Sequence, residues 1–332
     1  MKHKVSLKPY NTFGIDLPVA DFTEVDDIEQ LAELSDYAAP VHVLGGGSNI
    51  LLTRPVEGLI ILNRLKGLNV VKEDDNHVWL NVASGEVWHE LVMFAVNNDL
   101  SGIENLALIP GTVGASPIQN IGAYGVEVKD IIDSVVCWHW QEKKLVTYDN
   151  ADCKFGYRDS IFKHELKGKV FVTSVVFKLG KHPVLNTSYG AIEEELNKMG
   201  VTTPSIQSIA QAVINIRSSK LPDPKEIGNA GSFFKNPEIP LTQYQQLKLE
   251  HPAMPHYPVT ETIVKVPAGW LIEQCGWKGY RHGDCGVHAR QALVLVNYGG
   301  AAGDEIWKLS GEIVASVKDR FGIELEREVQ VW

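Results

Sequence analysis

The chain has 332 residues, 44% hydrophobic and 22% charged, an ordinary globular composition and enough length for two or three domains. With 31 basic against 41 acidic residues and a net charge of −10, it offers no general nucleic-acid surface, and no nucleic-acid partner is expected. No apolar run is long enough to cross a bilayer, the basic stretch Met1 to Pro9 lacks a signal-peptide core, and Cys137, Cys153, Cys275 and Cys285 form no CxxC pair. A soluble cytoplasmic protein with free thiols, no membrane partner and no metal site is expected.

After Asn11-Thr12-Phe13-Gly14, the periodicity predicts a helix over Val25 to Tyr37, with Ile28, Leu31, Ala32 and Leu34 on one face and Asp26 or Asp27 at its start. A strand, Val41 to Leu44, then runs into Gly45-Gly46-Gly47-Ser48-Asn49, with apolar runs at Ile50 to Leu52 and Leu59 to Leu62. A dinucleotide fingerprint needs a third glycine and a helix here, but Ile50 stands at that place and no long helix begins. A Rossmann nicotinamide site is therefore not expected. Amides of the glycine turn can still cradle a pyrophosphate, with Ser48 and Asn49 adding donors.

Val78 to Val82 reads as a strand, and Glu86 to Asn98 as a helix with Trp88, Leu91, Val92, Ala95 and Val96 inward. Ile109 to Gly125 comes next, with four glycines and two prolines in seventeen positions, yet interleaved with Ile109, Val113, Ile118, Ile121 and Tyr124. It reads either as a structured loop whose free amides face a phosphate-bearing ligand or as a packed connector. Paired strands follow at Ile131 to Trp140 and Leu145 to Tyr148, then turn-rich Lys154 to Ser160 and a strand at Val170 to Lys178. Lys181 to Pro204 marks the passage between domains, its glutamates a solvated helix face. Ser205 caps a helix running to about Arg217.

Gly228 to Pro237 is a second unusual loop. Helices are expected near Leu241 to Leu249, at Gly269 to Cys275 and from Asp304 to Phe321, and a closing strand over Glu324 to Trp332. Alternating strands and few helices argue an α+β domain with mixed sheets. Ser232 is not in a G-x-S-x-G elbow, Arg158 and Glu328 read as surface residues, and His282, Asp284 and His288 match no metal spacing. The residues alone give two anion-friendly glycine loops and a serine loop, without naming a cofactor.

In Asn11 to Gly14, Leu44 to Asn49, Pro110 to Gly125, Gly156-Tyr157-Arg158 and Gly228 to Pro237, the chain resembles the UDP-N-acetylenolpyruvoylglucosamine reductase family from end to end. The resemblance implies a two-lobed FAD-binding domain of the vanillyl-alcohol-oxidase type over 1–204, with lobes of about 1–70 and 71–204. An α+β substrate-binding domain over 205–332 would follow. FAD would be held between the lobes, without covalent attachment, by Gly45, Gly46, Gly47, Ser48, Asn49 and Ile50 and by Pro110, Gly111, Thr112, Gly114, Ala115, Ile118, Asn120, Gly122, Ala123 and Tyr124. One departure is Gly114-Ala115-Ser116-Pro117, where many relatives have paired glycines.

NADPH is the implied co-substrate, reducing FAD and leaving before UDP-N-acetylglucosamine enolpyruvate enters. By motif match Ser232 would donate a proton, while Arg158 and a protonated Glu328 would stabilise the enolate-like charge. Tyr157, Tyr189, Lys220, Asn236 and Gln291 would bind the UDP-sugar, Tyr189 from a mobile loop, and the protein would act as a monomer in peptidoglycan synthesis. The alternatives are a flavin oxidase of the same superfamily acting on a sugar or alcohol, and a non-enzymatic UDP-sugar-binding protein.

Overall fold

The computed structural model describes residues 1–332. Strands β1 (Lys2–Ser6) and β2 (Pro18–Val25) precede helix α1 (Gln30–Leu34). The helix expected over Val25 to Tyr37 is thus only five residues long. Val25 instead closes β2, where its carbonyl accepts from the Arg64 N–H at 2.7 Å. Next come β3 (Val41–Leu44), β4 (Ile50–Leu51), β5 (Val56–Asn63), β6 (Leu68–Glu73) and β7 (His77–Ala83). Helix α2 (Trp88–Asn97) buries Trp88, Leu91, Val92, Ala95 and Val96, the face its periodicity predicts.

Inside the glycine-punctuated stretch lies one minimal antiparallel pair, β8 (Gly122–Ala123) with β9 (Val126–Glu127). Strands β10 (Ile132–His139), β11 (Lys144–Asp149) and β12 (Val170–Gly180) follow, then helices α3 (Gly190–Lys198) and α4 (Ile206–Lys220). The Ser205 hydroxyl accepts from the Ser208 N–H at 3.1 Å at the start of α4, as expected, and the helix runs on to Lys220 rather than ending near Arg217. Strand β13 (Gly228–Ser232) takes up the first half of what reads as a loop. After it come β14 (Glu238–Pro240), α5 (Leu241–Glu250), β15 (Tyr257–Pro258), β16 (Ile263–Lys265) and α6 (Ala268–Gln274). The remainder is β17 (Arg281–His282), β18 (Cys285–Val287), β19 (Val294–Asn297), α7 (Gly303–Phe321) and β20 (Gln330–Val331). The closing strand is shorter than expected, reduced to β20 and an isolated bridge between Arg327 and Phe234.

The chain forms two units. The first takes Met1–Val5, Val19–Gly46 and Glu57–Ser219; the second takes Ser6–Pro18, Gly47–Val56 and Lys220–Trp332. The first unit has a four-stranded sheet in the order β1-β2-β5-β3, with β3 and β5 parallel, and a five-stranded antiparallel sheet in the order β11-β10-β12-β7-β6. Val25, Leu31, Leu59, Ile61 and Phe171 form a core for the former. A larger core joins α2, α4 and the inner faces of β7, β10 and β12. In the second unit the sheet order is β13-β19-β18-β17, with α7 packed on β18 and β19. A smaller sheet, β14-β16-β15, lies with α5, and β20 pairs in parallel with β4. The fold is α+β, and all four cysteines are free thiols.

Candidate active site

In the first unit β3 delivers Gly45 and Gly46 against the loop at Gly111 and Thr112. A Cβ on Gly46 would lie 2.9 Å from the Gly111 Cα, and one on Gly45 would lie 2.5 Å from Thr112 Oγ1. The main chains at Gly46 and Gly111 can approach this closely only because neither residue carries a side chain. The loop is also tied to α2 and β7. The N–H groups of Trp88, Val113 and Gly114 donate to the carbonyls of Gly111, Glu86 and Ser84 at 3.1, 2.9 and 2.9 Å.

Several amides expected to be free are taken up by the protein. Those of Gly114, Ala115, Ile118 and Asn120 donate to the carbonyls of Ser84, Thr112, Ala115 and Pro117. A ligand would meet these residues through carbonyls, side chains or surface. Asn120 is a hub of the loop itself. Its Nδ2 donates to Glu127 Oε2 at 3.1 Å and the Gly156 carbonyl at 2.8 Å, and its Oδ1 accepts from the Lys129 N–H at 3.0 Å.

Four non-glycine residues here are left-handed: Leu108 (φ 59°), Asn120 (46°), Tyr124 (51°) and Arg158 (53°). Each costs on the order of 1 kcal/mol, and such residues cluster where a site is held against its local preference. Arg158 Nη2 donates to the Gly122 carbonyl at 2.5 Å, and its guanidinium lies 5.4 Å from the Tyr157 ring. The Tyr124 ring meets Tyr189 edge-on, with centroids 5.3 Å apart. The structure thus brings Tyr124, Asn120, Gly122, Tyr157, Arg158 and Tyr189 together.

It also adds Arg217, which in sequence reads only as the end of a helix. Its Nε donates to the Leu108 carbonyl at 3.2 Å, and its guanidinium bonds the Tyr124 hydroxyl. Burial lowers its pKa, Tyr124 opposes that shift, and the charge of Arg158 adds to it. Burial likewise raises the Tyr124 pKa, against the pull of Arg217. Two guanidiniums that feel one another, one of them desolvated, make a place for an anion.

In the second unit Gly47 (φ 60°) continues the glycine turn where no side chain fits, since a Cβ would lie 2.0 Å from the Tyr10 carbonyl oxygen. Asn11 to Phe13 bridges this turn to the serine strand. The Thr12 N–H donates to the Gly47 carbonyl at 3.1 Å, the Asn229 N–H to the Thr12 carbonyl at 3.0 Å, and Asn297 Nδ2 to the Phe13 carbonyl at 2.9 Å. Ser232 ends β13 opposite Val294, exposed, just past a register shift that begins after Asn229. Bulges of this kind re-aim side chains.

The Glu328 N–H donates to the Phe233 carbonyl at 2.8 Å, while its own carbonyl accepts from Asn49 Nδ2 at 3.4 Å. The Gln330 N–H reaches the Asn49 carbonyl at 3.0 Å, which carries the chain into the pairing of β20 with Ile50 of β4. Ser48 is half-buried in the same turn. Asn236 Oδ1 caps α6 through the Ala268 N–H at 2.9 Å, and Gln291 Oε1 would stand 3.0 Å from a Cβ on Gly269. Both border the start of α6. Lys220 is exposed at the end of α4. Asp284 pairs with Arg281 at 3.4 Å, and His288 is buried in the sheet region.

The residues fit a flavin dinucleotide. Bare glycine backbone at Gly46 and Gly111 admits close approach, the arginines suit anionic groups, and neither Gly45 to Ile50 nor Pro110 to Tyr124 contains a cysteine or histidine for covalent attachment. Comparison with known proteins agrees. Residues 19–142 match an FAD-binding domain family, and residues 223–332 match the C-terminal domain of UDP-N-acetylenolpyruvoylglucosamine reductase. The reductase of that name from Flavobacterium johnsoniae is 49% identical over 98% of each chain, and that of Chromobacterium violaceum is 50% identical over 98% of this chain and 96% of its own. The crystal structure of UDP-N-acetylenolpyruvylglucosamine reductase from Thermus caldophilus superposes with a TM-score of 0.70 at 27% identity, covering 99% of this chain and 97% of that one. Identity at that level, sustained from one end to the other, means that the chain belongs to the UDP-N-acetylenolpyruvoylglucosamine reductase family.

Proposed function

We propose that the assigned side chains carry out this family's reaction as follows. The chain is an FAD-dependent reductase that uses NADPH to convert UDP-N-acetylglucosamine enolpyruvate to UDP-N-acetylmuramate for peptidoglycan synthesis. FAD, when bound, would supply the hydride chemistry between NADPH and the methylene carbon of the enolpyruvyl group. Gly45 to Ile50 and Pro110 to Tyr124 would hold it, with Arg217 supplying positive charge beside Tyr124.

The protein's own work is orientation, charge and a proton. Arg158 opposes the negative charge that builds on the enolpyruvyl carboxylate, and Glu328 supports the same charge in its protonated form. The Ser232 hydroxyl delivers the proton to the adjacent carbon; a hydroxyl is acid enough only toward a strongly basic carbon with charge held nearby. Tyr157, Tyr189, Lys220, Asn236 and Gln291 would bind the UDP-sugar. The division expected from sequence, cofactor on 1–204 and substrate on 205–332, would be crossed by Arg217, which lies in the first unit, and the protein would act as a cytoplasmic monomer. No helix is long and apolar enough to cross a membrane.

What carries these roles is one backbone junction in the second unit. Glu328 is bonded on one side to Phe233, next to Ser232, and on the other to Asn49 of the glycine turn. Ser232→Ala tests the roles directly. The variant should keep its flavin and be reduced by NADPH normally, but reoxidise with the enolpyruvyl sugar about 10²–10³ times more slowly. Normal reoxidation in rapid-mixing spectra would remove Ser232 from the mechanism.

A further inference from the structure

We propose that Arg327 is a positioning residue that holds Glu328 in place by locking the terminal strand onto α7; this rests on the role given to Glu328 above. Arg327 forms the isolated bridge with Phe234. Its guanidinium lies 4.0 Å from the Trp307 ring centroid, and its Nε donates to Ser310 Oγ at 2.8 Å. Ser310 is itself fixed: it is fully buried, and its hydroxyl donates to the Trp307 carbonyl at 2.6 Å. The fork also closes over α7 where the helix has no side chain, since a Cβ on Gly311 would lie 3.6 Å from Arg327 Nη2. Burial lowers the pKa of this arginine. A planar cation with one face on an indole and an edge on a buried hydroxyl has little freedom.

The backbone carries that fixation to the next residue. On the two sides of the bridge, the Lys235 N–H donates to the Glu326 carbonyl at 2.9 Å and the Glu328 N–H to the Phe233 carbonyl at 2.8 Å. Consecutive residues of an extended pair project to opposite faces. A side chain that pins Arg327 to α7 therefore sets where Glu328 leaves the strand. It also sets the register that brings Asn49 to the Glu328 carbonyl and to Gln330. Ladder pairing covers only Gln330 and Val331, and ahead of them the segment is held by the Arg327 contacts together with the Lys235–Glu326 ion pair at 2.5 Å and the buried Leu325 and Val329. Without Arg327, Glu328 keeps its chemistry but loses its address.

The test compares Arg327→Met, Arg327→Lys, Glu328→Gln and the Arg327→Met/Glu328→Gln double variant as flavin-loaded enzyme, following each half-reaction by rapid mixing and each fold by thermal melt. In Arg327→Met, reoxidation by the enolpyruvyl sugar should slow about 10–100-fold while reduction by NADPH is unchanged. Arg327→Lys should recover part of that loss, keeping charge without the planar fork. The double variant should reoxidise no more slowly than Glu328→Gln, because one residue acts through the other. Additive losses, a wild-type reoxidation rate in Arg327→Met, or equal slowing of both half-reactions with a lower melting temperature would each overturn the proposal. Should Glu328→Gln itself reoxidise normally, the Glu328 assignment falls and takes this one with it. Slow Glu328→Gln beside normal Arg327→Met removes Arg327 alone. If Arg327→Met does not fold, Ser310→Ala, which deletes only the hydroxyl partner, should show the same selective slowing to a smaller degree, and its absence counts against Arg327.

Discussion

At Gly46 the constraint is a distance: a Cβ would sit 2.9 Å from the Gly111 Cα, and backbone rather than a pliable side chain would have to move. Gly46→Ala should therefore weaken FAD binding about tenfold or more, the effect of 1–2 kcal/mol of overpacking. Gly190→Ala is the control, because it opens α3 with nothing within 4 Å and should leave FAD affinity unchanged. Titration of apoprotein with FAD, followed by flavin fluorescence quenching, reads both; equal affinities would mean that the two turns can part freely. These glycines are legible in sequence because a triple glycine has few structural uses. Arg217 is not legible, since an arginine near the end of an amphipathic helix usually faces water. Only the folded chain reveals its bonds to the Leu108 carbonyl and the Tyr124 hydroxyl.

Helix α2 shows how an element transmits such local constraints. His89, in its first turn, accepts from the Leu108 N–H through Nδ1 at 3.0 Å, and the Leu108 carbonyl in turn accepts from Arg217. That bond requires an unprotonated Nδ1. Burial first, and then the charge of Arg217, lowers the His89 pKa below its ordinary 6.5. As pH falls through 6.5 the unfolded chain takes up the proton before the folded one, so stability contributed here is complete above that pH and lost below it. His89→Gln, which can still accept but does not titrate, should lose less stability between neutral pH and pH ~5.5, by about 1 kcal/mol, one hydrogen bond's worth. Parallel denaturation curves across that range would discard the coupling.

Elements with a full amphipathic period, α2 and α7, are readable from sequence because a long apolar face has one way to be buried. The segment around α1 misleads because Val25, Ile28 and Leu31 keep helical spacing across a strand end; all three pack in one core while Val25 stays in β2. Strand β13 misleads in the other direction. Gly228-Asn229-Ala230-Gly231-Ser232 has no strand-forming residue, and its pairing with β19 decides the outcome.

Across the whole molecule, the second unit is assembled from three pieces of chain, and its first two, Ser6–Pro18 and Gly47–Val56, lie far from its last in sequence. They are not ornaments on a finished domain. Leu7, Phe13, Ile15, Leu51 and Leu52 are each at most 4% exposed, Phe13 stacks edge-on against Phe233, and a Cβ on Gly303 would lie 1.8 Å from the Leu52 carbonyl oxygen. Removing five such side chains forfeits roughly 10 kcal/mol of burial, comparable to the whole stability of a domain, about 5–15 kcal/mol. Motif matching along the chain cannot reveal this, because the family's C-terminal domain is recognisable from residues 223–332 alone. A fragment of residues 220–332 should therefore be expressed without a cooperative thermal transition and with little amide-exchange protection. Adding back the early segments through a linker, residues 6–18 and 47–56, should restore a transition. A fragment that melts cooperatively by itself would show that α7 and its sheet suffice, and that the glycine turn is only attached to a fold complete without it.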